Sequence, residues 1–175
     1  MIDPVVSVSL RCLLAVLFAA AAWHKASDPR RFTATLDAYR LLPSWLGEAA
    51  ARALPVAEVA VAVSLLLPLY RWAALGAVVL LVLYSVAIAI NLARGRREID
   101  CGCFGPAVGV PLSGALVARN ALLIGAAAIV SLPVAVRPLV WVDAFSVIVG
   151  VAVMTILWIS FWRLSEAARL QGGGR

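Results

Sequence analysis

Long apolar runs without a charged residue constrain this chain more than any other feature. The clearest run extends from Ala73 to Ala93 and contains no Asp, Glu, Lys or Arg. A helix needs about 20 consecutive apolar residues to cross the hydrocarbon core of a bilayer. The chain is 64% hydrophobic and 14% charged, whereas soluble domains are about half apolar and about a quarter charged. The sequence therefore predicts an all-α integral membrane protein.

Five apolar segments form a single predicted membrane domain, residues 1–163. The predicted helices are residues 4–23, 53–69, 73–93, 112–132 and 139–162. An interfacial segment, 24–52, and a cysteine loop, 94–111, connect them, and a polar, partly disordered tail follows at 164–175. The aromatic and leucine residues of the interfacial segment alternate with charged ones, which favours a piece that lies along the membrane surface.

Basic residues are distributed unevenly between the two sides of the predicted bundle. Eleven of the 15 Lys and Arg residues lie in the interfacial segment, in the cysteine loop and in the C-terminal stretch that begins at Arg163, and two lie on the other side. Cytoplasmic loops carry such an excess. We therefore expect a bacterial plasma (inner) membrane protein with its N-terminus outside and its cysteine loop and C-terminus in the cytoplasm. The net charge of +6 thus reflects contact with the lipid bilayer and predicts no nucleic-acid partner.

Cys101 and Cys103 are one residue apart in a short polar loop between two predicted helices. Cysteines this close form a disulfide only with strain, and strained disulfides are the labile, oxidising ones. Gly102 permits the backbone angles that such a ring needs. Redox chemistry is therefore favoured. The alternatives are an inert pair and a metal site, which would need two more ligands when only His24 is available beyond carboxylates.

Polar residues inside the apolar helices lie at similar depths below the cysteine loop. Lys25 is at that end of the first helix, while Glu58 lies about 8 Å into the second and Arg119 about 10 Å into the fourth at the helical rise. Asn91 is in the last turn of the third helix, and Asn120 follows Arg119. Lone charges in hydrocarbon are costly, so these residues should face the bundle interior and pair. We expect Glu58 to pair with Arg119, with Lys25 as a second cation, in a pocket for protons or a small ligand.

Structural roles compete with this interpretation. A bridge between Glu58 and Arg119 could serve only to fix helix register, and Asn91 and Asn120 could be hydrogen-bond partners between helices. Cys12 lies near the middle of the first helix, where we expect a small buried apolar residue.

Several of these residues occur in motifs that resemble the MauE/DoxX family of redox-associated membrane proteins, and its MauE branch in particular. The matching motifs are Lys25 with Asp28 and Phe32, Tyr39-Arg-Leu-Leu-Pro43, Pro55-x-x-Glu58, Asn91 with Arg94-Gly95, Ile99-Asp-Cys-Gly-Cys-Phe-Gly105 and Arg119-Asn120. Within the cysteine motif, the resemblance assigns a supporting role to Asp100, Gly102, Phe104 and Gly105.

The resemblance implies a DoxX-like four-helix transmembrane bundle, to which the fifth predicted helix adds a C-terminal span. MauE is associated with maturation of methylamine dehydrogenase, whose small subunit is disulfide-rich, and DoxX relatives with thiosulfate or quinone oxidoreduction. The expected function is a membrane thiol–disulfide redox protein, a candidate thiol–disulfide oxidoreductase, that assists the maturation or redox state of a partner protein. The alternatives are a non-catalytic scaffold for a partner oxidoreductase and a protein that binds a quinone or another small molecule. A quinone is the one cofactor considered.

Overall fold

A computed structural model describes residues 1–99, 112–135, 137 and 140–172. Its helices are α1 (Pro4–Ser27), α2 (Pro29–Tyr39), α3 (Ser44–Leu66), α4 (Tyr70–Ala93), α5 (Gly114–Val130) and α6 (Trp141–Gly172). Within these ranges no strand occurs beyond one isolated bridge between Ile2 and Val134. The prediction of an all-helical chain is therefore confirmed for the described part.

In the described part of the chain, three helical stretches are long and apolar enough to cross a membrane, namely α1, α4 and the part of α3 from Trp45 to Leu66. The apolar stretches Gly114–Val130 in α5 and Trp141–Leu157 in α6 are shorter. Large apolar side chains point outwards from the bundle, and Leu122 on α5 is 77% exposed. Soluble monomers rarely expose extended apolar surface, so these outer faces suit contact with lipid.

Aspartate side chains cap the N-termini of the first two helices. Asp3 accepts a hydrogen bond from the Val5 N–H at 2.8 Å, and Asp28 accepts one from the Arg31 N–H at 3.0 Å. In both cases a proline follows the capping residue, where its missing N–H costs no hydrogen bond. Helix α2 ends at Arg40 in the left-handed conformation with φ 49°. This reversal directs the chain from the short α2 into α3.

Four helices pack around one another in a closed ring. Both α1 and α4 pack against α3 and against α5, while α2 lies on α3 and α6 lies on α1. The buried core at the centre of the ring contains Leu14, Phe18, Leu65, Leu81 and Val130, together with alanines from all four helices. Small residues let the helix backbones approach closely. A Cβ atom added to Gly76 on α4, for example, would lie 3.2 Å from Val61 on α3.

The helix connections gather at two opposite ends of this ring. At the N-terminal end, the Ile2 N–H donates to the Pro133 carbonyl at 3.0 Å, and the Ala135 N–H donates to the Ile2 carbonyl at 2.9 Å. The Arg71 guanidinium at the start of α4 donates to the Ser131 carbonyl after α5 at 3.2 Å. The two bonds of Ile2 tie the chain start to the segment between α5 and α6, and the bond of Arg71 ties the start of α4 to the same segment.

An arginine links the chain start to α6 at the same end. Arg137 forms ion pairs with Asp3 at 3.0 Å and with Asp143 in the first turn of α6 at 2.8 Å. The hydrogen bond from Arg137, aided by the Val5 N–H, lowers the pKa of the Asp3 carboxyl group. Both carboxylates in turn raise the pKa of Arg137, with Asp143 as the larger cause.

The cysteine-loop end lies opposite, where α4 ends and α5 begins. The Leu112 N–H donates to the Arg97 carbonyl at 3.0 Å and to the Ile99 carbonyl at 3.2 Å. These bonds hold together the two residues that border the segment 100–111. That segment lies outside the described residues.

Among the helix boundaries, the start of α3 and the end of α6 differ most from the predicted ones. Helix α3 begins at Ser44 and so takes in the last part of the predicted interfacial segment 24–52. The charged residues of this part led to a predicted membrane span that starts only after them. The alanines between them favour a helix, so the helix itself begins earlier than the apolar span. Helix α6 continues to Gly172, so the predicted tail 164–175 is helical as far as the structure describes it. Its Leu, Glu, Ala, Arg and Gln residues are strong helix formers.

Candidate functional site

Lys25, in the last turn of α1, meets Glu58 of α3 inside the helix ring. Lys25 Nζ donates to Glu58 Oε1, and the two side chains are 2% and 1% exposed. Charged groups at such depth are stable only when they are paired. The predicted pairing of Glu58 with Arg119 is therefore corrected, because Lys25 is the ion-pair partner. The reason is geometric: α3 and α5 lie diagonally across the ring, whereas α3 packs directly on α1.

Tyr84 of α4 completes the surroundings of this ion pair. Its hydroxyl group donates to Glu58 Oε1 at 2.8 Å. Lys25 Nζ lies 5.0 Å from the centre of the Tyr84 ring and 5.5 Å from that of Phe32 on α2, which is within range of a cation–π interaction. The sequence reasoning missed Tyr84. Its spacing of two helical turns from Asn91 was the available signal, because residues so placed share one helix face.

A partly open cavity of about 70 Å³ lies beside the ion pair. All four helices of the ring bring polar side chains to it. They are Lys25 from α1, Glu58 from α3, Tyr84 from α4, and Arg119 and Asn120 from α5. The rest of the wall consists of leucine, alanine and phenylalanine side chains. The structure thus brings four of the five predicted pocket residues together.

Residues of the cavity wall contribute buried polar atoms that have no protein partner among the described residues. Examples are Glu58 Oε2, an acceptor, and Asn120 Nδ2, a donor. Asn120 Oδ1, in contrast, accepts from Arg119 Nε at 3.3 Å and Nη2 at 3.1 Å. Buried polar groups in native proteins nearly always have a hydrogen-bond partner. The cavity is therefore suited to a small molecule that both donates and accepts hydrogen bonds.

A second, larger pocket of about 380 Å³ lies on the other side of Lys25 and Tyr84. It is formed by α2, the first half of α3 and the second half of α4, and its wall is mostly apolar. The wall includes Phe32, Leu36, Tyr39, Leu54, Leu83 and Ile88. Small-molecule sites have about this volume and character, with few polar groups. Lys25 and Tyr84 thus separate a polar cavity from an apolar pocket.

Asn91, the fifth predicted pocket residue, lies elsewhere and has a structural role. It is fully buried, and its Nδ2 donates to the Ala87 carbonyl at 3.1 Å. Arg96 Nη1 donates to Asn91 Oδ1 at 3.2 Å and to the Tyr39 carbonyl at 3.5 Å. Asn91 therefore helps to join the end of α4 to the end of α2.

The predicted cysteine pair falls in the segment that the structure leaves undescribed. Cys12 on α1 is half-buried and carries a free thiol, and His24 is exposed. Within the described ranges no three His, Cys, Asp or Glu side chains are close enough to hold a metal ion. Outside those ranges lie Cys101 and Cys103, with Asp100, Gly102, Phe104 and Gly105.

Comparisons with known proteins agree on one family. A family model described as methylamine utilisation protein MauE matches residues 3–133. A curated relative from Paracoccus denitrificans, named methylamine utilization protein MauE, is 40% identical over 159 residues, covering 89% of this chain and 86% of the relative. Proteins of the same name from Methylorubrum extorquens and Paracoccus versutus are 38% and 42% identical, over 99% and 90% of this chain and 92% and 86% of theirs. No solved structure matches the chain.

Proposed function

The chain belongs to the MauE family of methylamine utilisation proteins, and on this premise we propose that it is a membrane thiol–disulfide redox protein. In this proposal Cys101 and Cys103 alternate between a dithiol and a disulfide. The partner that they serve is a protein of methylamine utilisation, the process for which the curated relatives are named. The protein assists the maturation or the redox state of that partner.

The observation that carries the proposal is the buried polar site beside the cysteine-loop end. A paired Lys and Glu, a tyrosine hydroxyl, an arginine and an asparagine converge there from all four helices of the ring. Ionisable residues inside a membrane are expensive and typically mark a functional site. Along the chain Cys101 comes two residues after Ile99, and Arg119 lies in the helix that begins at Gly114, after the cysteine segment. This spacing supports the proposal that the thiol pair acts at the same end of the bundle as the polar site.

The exchange of a disulfide with the partner conserves electrons, so this step itself needs no further oxidant. A thiolate of the partner attacks the disulfide between Cys101 and Cys103, and a mixed disulfide forms as one cysteine leaves as a thiolate. The second partner thiolate then releases this cysteine, so the partner gains a disulfide and Cys101 and Cys103 become a dithiol. A strained disulfide favours this direction because it is the more oxidising one. A two-electron acceptor of the quinone class must then restore the disulfide, and it takes up two electrons and two protons to become a quinol.

We further propose that α1, α3, α4 and α5 cross the membrane as a four-helix bundle and that α6 adds a fifth span. Helix α5 has 17 residues and a length of about 26 Å at the helical rise, close to the hydrocarbon thickness of about 30 Å. The excess of Lys and Arg then places the cysteine loop at the cytoplasmic face of a bacterial inner membrane.

Mass-tagging of thiols tests the proposed redox role. We expect the wild-type protein in native membranes to gain two reactive thiols on mild reduction and to lose them on re-oxidation. A Cys12→Ser variant should behave in the same way, because Cys12 lies on α1 and is not one of the two proposed redox cysteines. A Cys101→Ser/Cys103→Ser variant should show no change and should fail to support the partner. Identical labelling before and after reduction would refute the redox role, and full support of the partner by the double variant would favour a scaffold.

The apolar pocket favours a second candidate function, the binding of a quinone or a similar small molecule. The pocket has a volume of about 380 Å³, and Lys25 and Tyr84 contribute polar groups to a mostly apolar wall. A neutral ring with a carbonyl oxygen suits this arrangement because Lys25 is already neutralised by Glu58. Leu54→Trp would fill the pocket and should abolish saturable binding of a ubiquinone analogue, whereas Leu122→Trp on the outer face of α5 should not. Unchanged binding by Leu54→Trp would exclude this pocket.

A further inference from the structure

The cavity beside Glu58 has the size and the polar groups of a site for ordered water. Its volume is about 70 Å³, and a water molecule takes about 30 Å³ in the liquid. It presents both a buried acceptor, Glu58 Oε2, and a buried donor, Asn120 Nδ2, that have no partner among the described residues. A bound anion would satisfy Asn120 but would be repelled by the carboxylate oxygen. Water satisfies both atoms, because it donates to one and accepts from the other.

Among the residues that the structure describes, Lys25 is the one charged residue that borders both the cavity and the apolar pocket. One of its three N–H bonds points to Glu58 Oε1, so two remain to contact water or a molecule in the pocket. Tyr84 donates to the same oxygen at 2.8 Å, so Oε2 is the carboxylate oxygen that has no protein partner among the described residues. The three residues form a continuous hydrogen-bonded wall between the two spaces.

We propose that the cavity holds ordered water and that Glu58 and Lys25 pass protons between this water and the apolar pocket, with Tyr84 as a positioning residue. A proton from water adds to Glu58 Oε2. Lys25 gives a proton to a lone-pair oxygen in the pocket, from a bound molecule or from water, and regains one from Glu58. The carboxylate and the ammonium group are then restored, and one proton has crossed the wall.

This proposal rests on the proposed redox function for its purpose. Oxidation of a dithiol to a disulfide releases two protons and two electrons, and the electrons pass to the two-electron acceptor named above. The polar site gives those protons a path through an apolar bundle. The groups that face Glu58 are Lys25 from α1, Tyr84 from α4 and, across the cavity, Arg119 from α5. Helix α2 contributes the Phe32 ring over Lys25, which does not titrate.

Infrared difference spectroscopy of the full-length protein in lipid nanodiscs tests the water and the proton directly. On a pH jump we expect a carboxyl band that shifts in D₂O and disappears in Glu58→Gln, together with a band of weakly bonded water. Ala21→Leu adds bulk to the cavity wall without removing a polar group, and it should abolish the water band. Wild-type spectra without a water band, or with a carboxyl band that persists in Glu58→Gln, would overturn the proposal. Neither result would affect the redox role of the cysteines.

The rate of re-oxidation of the thiol pair tests the role of Tyr84. Tyr84→Phe keeps the ring over Lys25 but removes the hydroxyl group, and we expect re-oxidation to slow by about tenfold, a modest share of the usual contribution of acid–base groups. The solvent isotope effect should increase and the pH profile should shift. Tyr70→Phe is the matched control, because the Tyr70 ring contacts the Arg11 guanidinium group at the other end of the bundle. Equal rates and pH profiles in both variants would overturn the role of Tyr84, and loss of thiol cycling in the wild type would instead refute the proposed function.

Discussion

Lys25 and Glu58 join α1 to α3 through an ion pair that is almost completely excluded from solvent. Neither charge has a second ion-pair partner among the described residues, so each depends on the other. Removal of one partner of a buried pair leaves an uncompensated charge in an apolar interior. The pair is therefore both the centre of the candidate site and a sensitive point of the fold.

The first prediction concerns the stability that depends on this pair. We expect Glu58→Ala to lower the free energy of unfolding by about 3–5 kcal/mol, because Lys25 would stay buried without its counter-ion. The double variant Lys25→Met/Glu58→Met should recover at least half of this loss, since it removes both charges and keeps the volume. Chemical unfolding in detergent measures both values. Equal losses in the single and double variants would show that packing, and not charge, dominates.

The second prediction concerns Arg11, which holds α1 to the end of α3. Its Nε donates to the Leu65 carbonyl at 2.7 Å, and its guanidinium carbon lies 4.1 Å from the centre of the Tyr70 ring. Arg11→Met should lower the melting temperature and cost about 1.5–3 kcal/mol, as for hydrogen bonds from charged groups.

Arg71→Met is the matched control for this prediction. Arg71 also donates to a backbone carbonyl, that of Ser131, but it is exposed to solvent. Its removal should cost about 1 kcal/mol or less, because water replaces the lost bond. If both variants lost the same stability, the stacking and partial burial of Arg11 would have no energetic effect.

The third prediction is a pH dependence at the N-terminal end. The pKa of Asp3 lies below its usual value of 3.8, chiefly because of the hydrogen bond from Arg137. A lowered pKa means that the carboxylate stabilises the folded protein above about pH 4, and that this contribution is lost as the pH falls through the lowered value. Melting curves recorded from neutral to acid pH should therefore differ between the wild type and Asp3→Asn. The difference should vanish in acid, and a constant difference at every pH would contradict the assignment.

The fourth prediction tests which end of the bundle faces the cytoplasm. Single cysteines are placed at Arg71, in the first turn of α4, and at Glu48, near the start of α3, in a protein whose own three cysteines are serines. Both positions are exposed, so a membrane-impermeant maleimide can reach either from its own side. Intact cells should be labelled at the first position and inverted vesicles at the second. The reverse pattern would show that the excess of basic residues does not set the orientation here.

The depth of the polar residues could be predicted from the sequence, but their pairing could not. A charge inside an apolar run must face the interior, and its distance from the helix end gives its depth. The direction in which it points depends on the packing order of the helices, which apolar runs alone do not specify. Lys25 and Arg119 lie at comparable depths, and only the placement of α1 beside α3 selects Lys25 as the partner of Glu58.

Residues of the uncharged part of α4 were the hardest to assign to the polar site or to a packing role. Tyr84 lies in the uncharged run from Ala73 to Ala93, where an aromatic side chain is expected to pack or to contact lipid. Its hydroxyl group becomes informative only once Glu58 is known to lie opposite. Asn91 shows the converse, because a polar side chain in the same helix was assigned to the pocket and instead binds Arg96 near the helix end.

The ion pair between α1 and α3 also bears on how the chain enters the membrane during synthesis. Glu58 follows Lys25 by 33 residues, so both are made before α4 emerges from the ribosome. The two helices can therefore leave the insertion machinery together as a hairpin whose opposite charges neutralise each other. A lone lysine or glutamate would oppose that step. The ion pair that stabilises the folded bundle thus also lowers the barrier to insertion of α1 and α3 into the membrane.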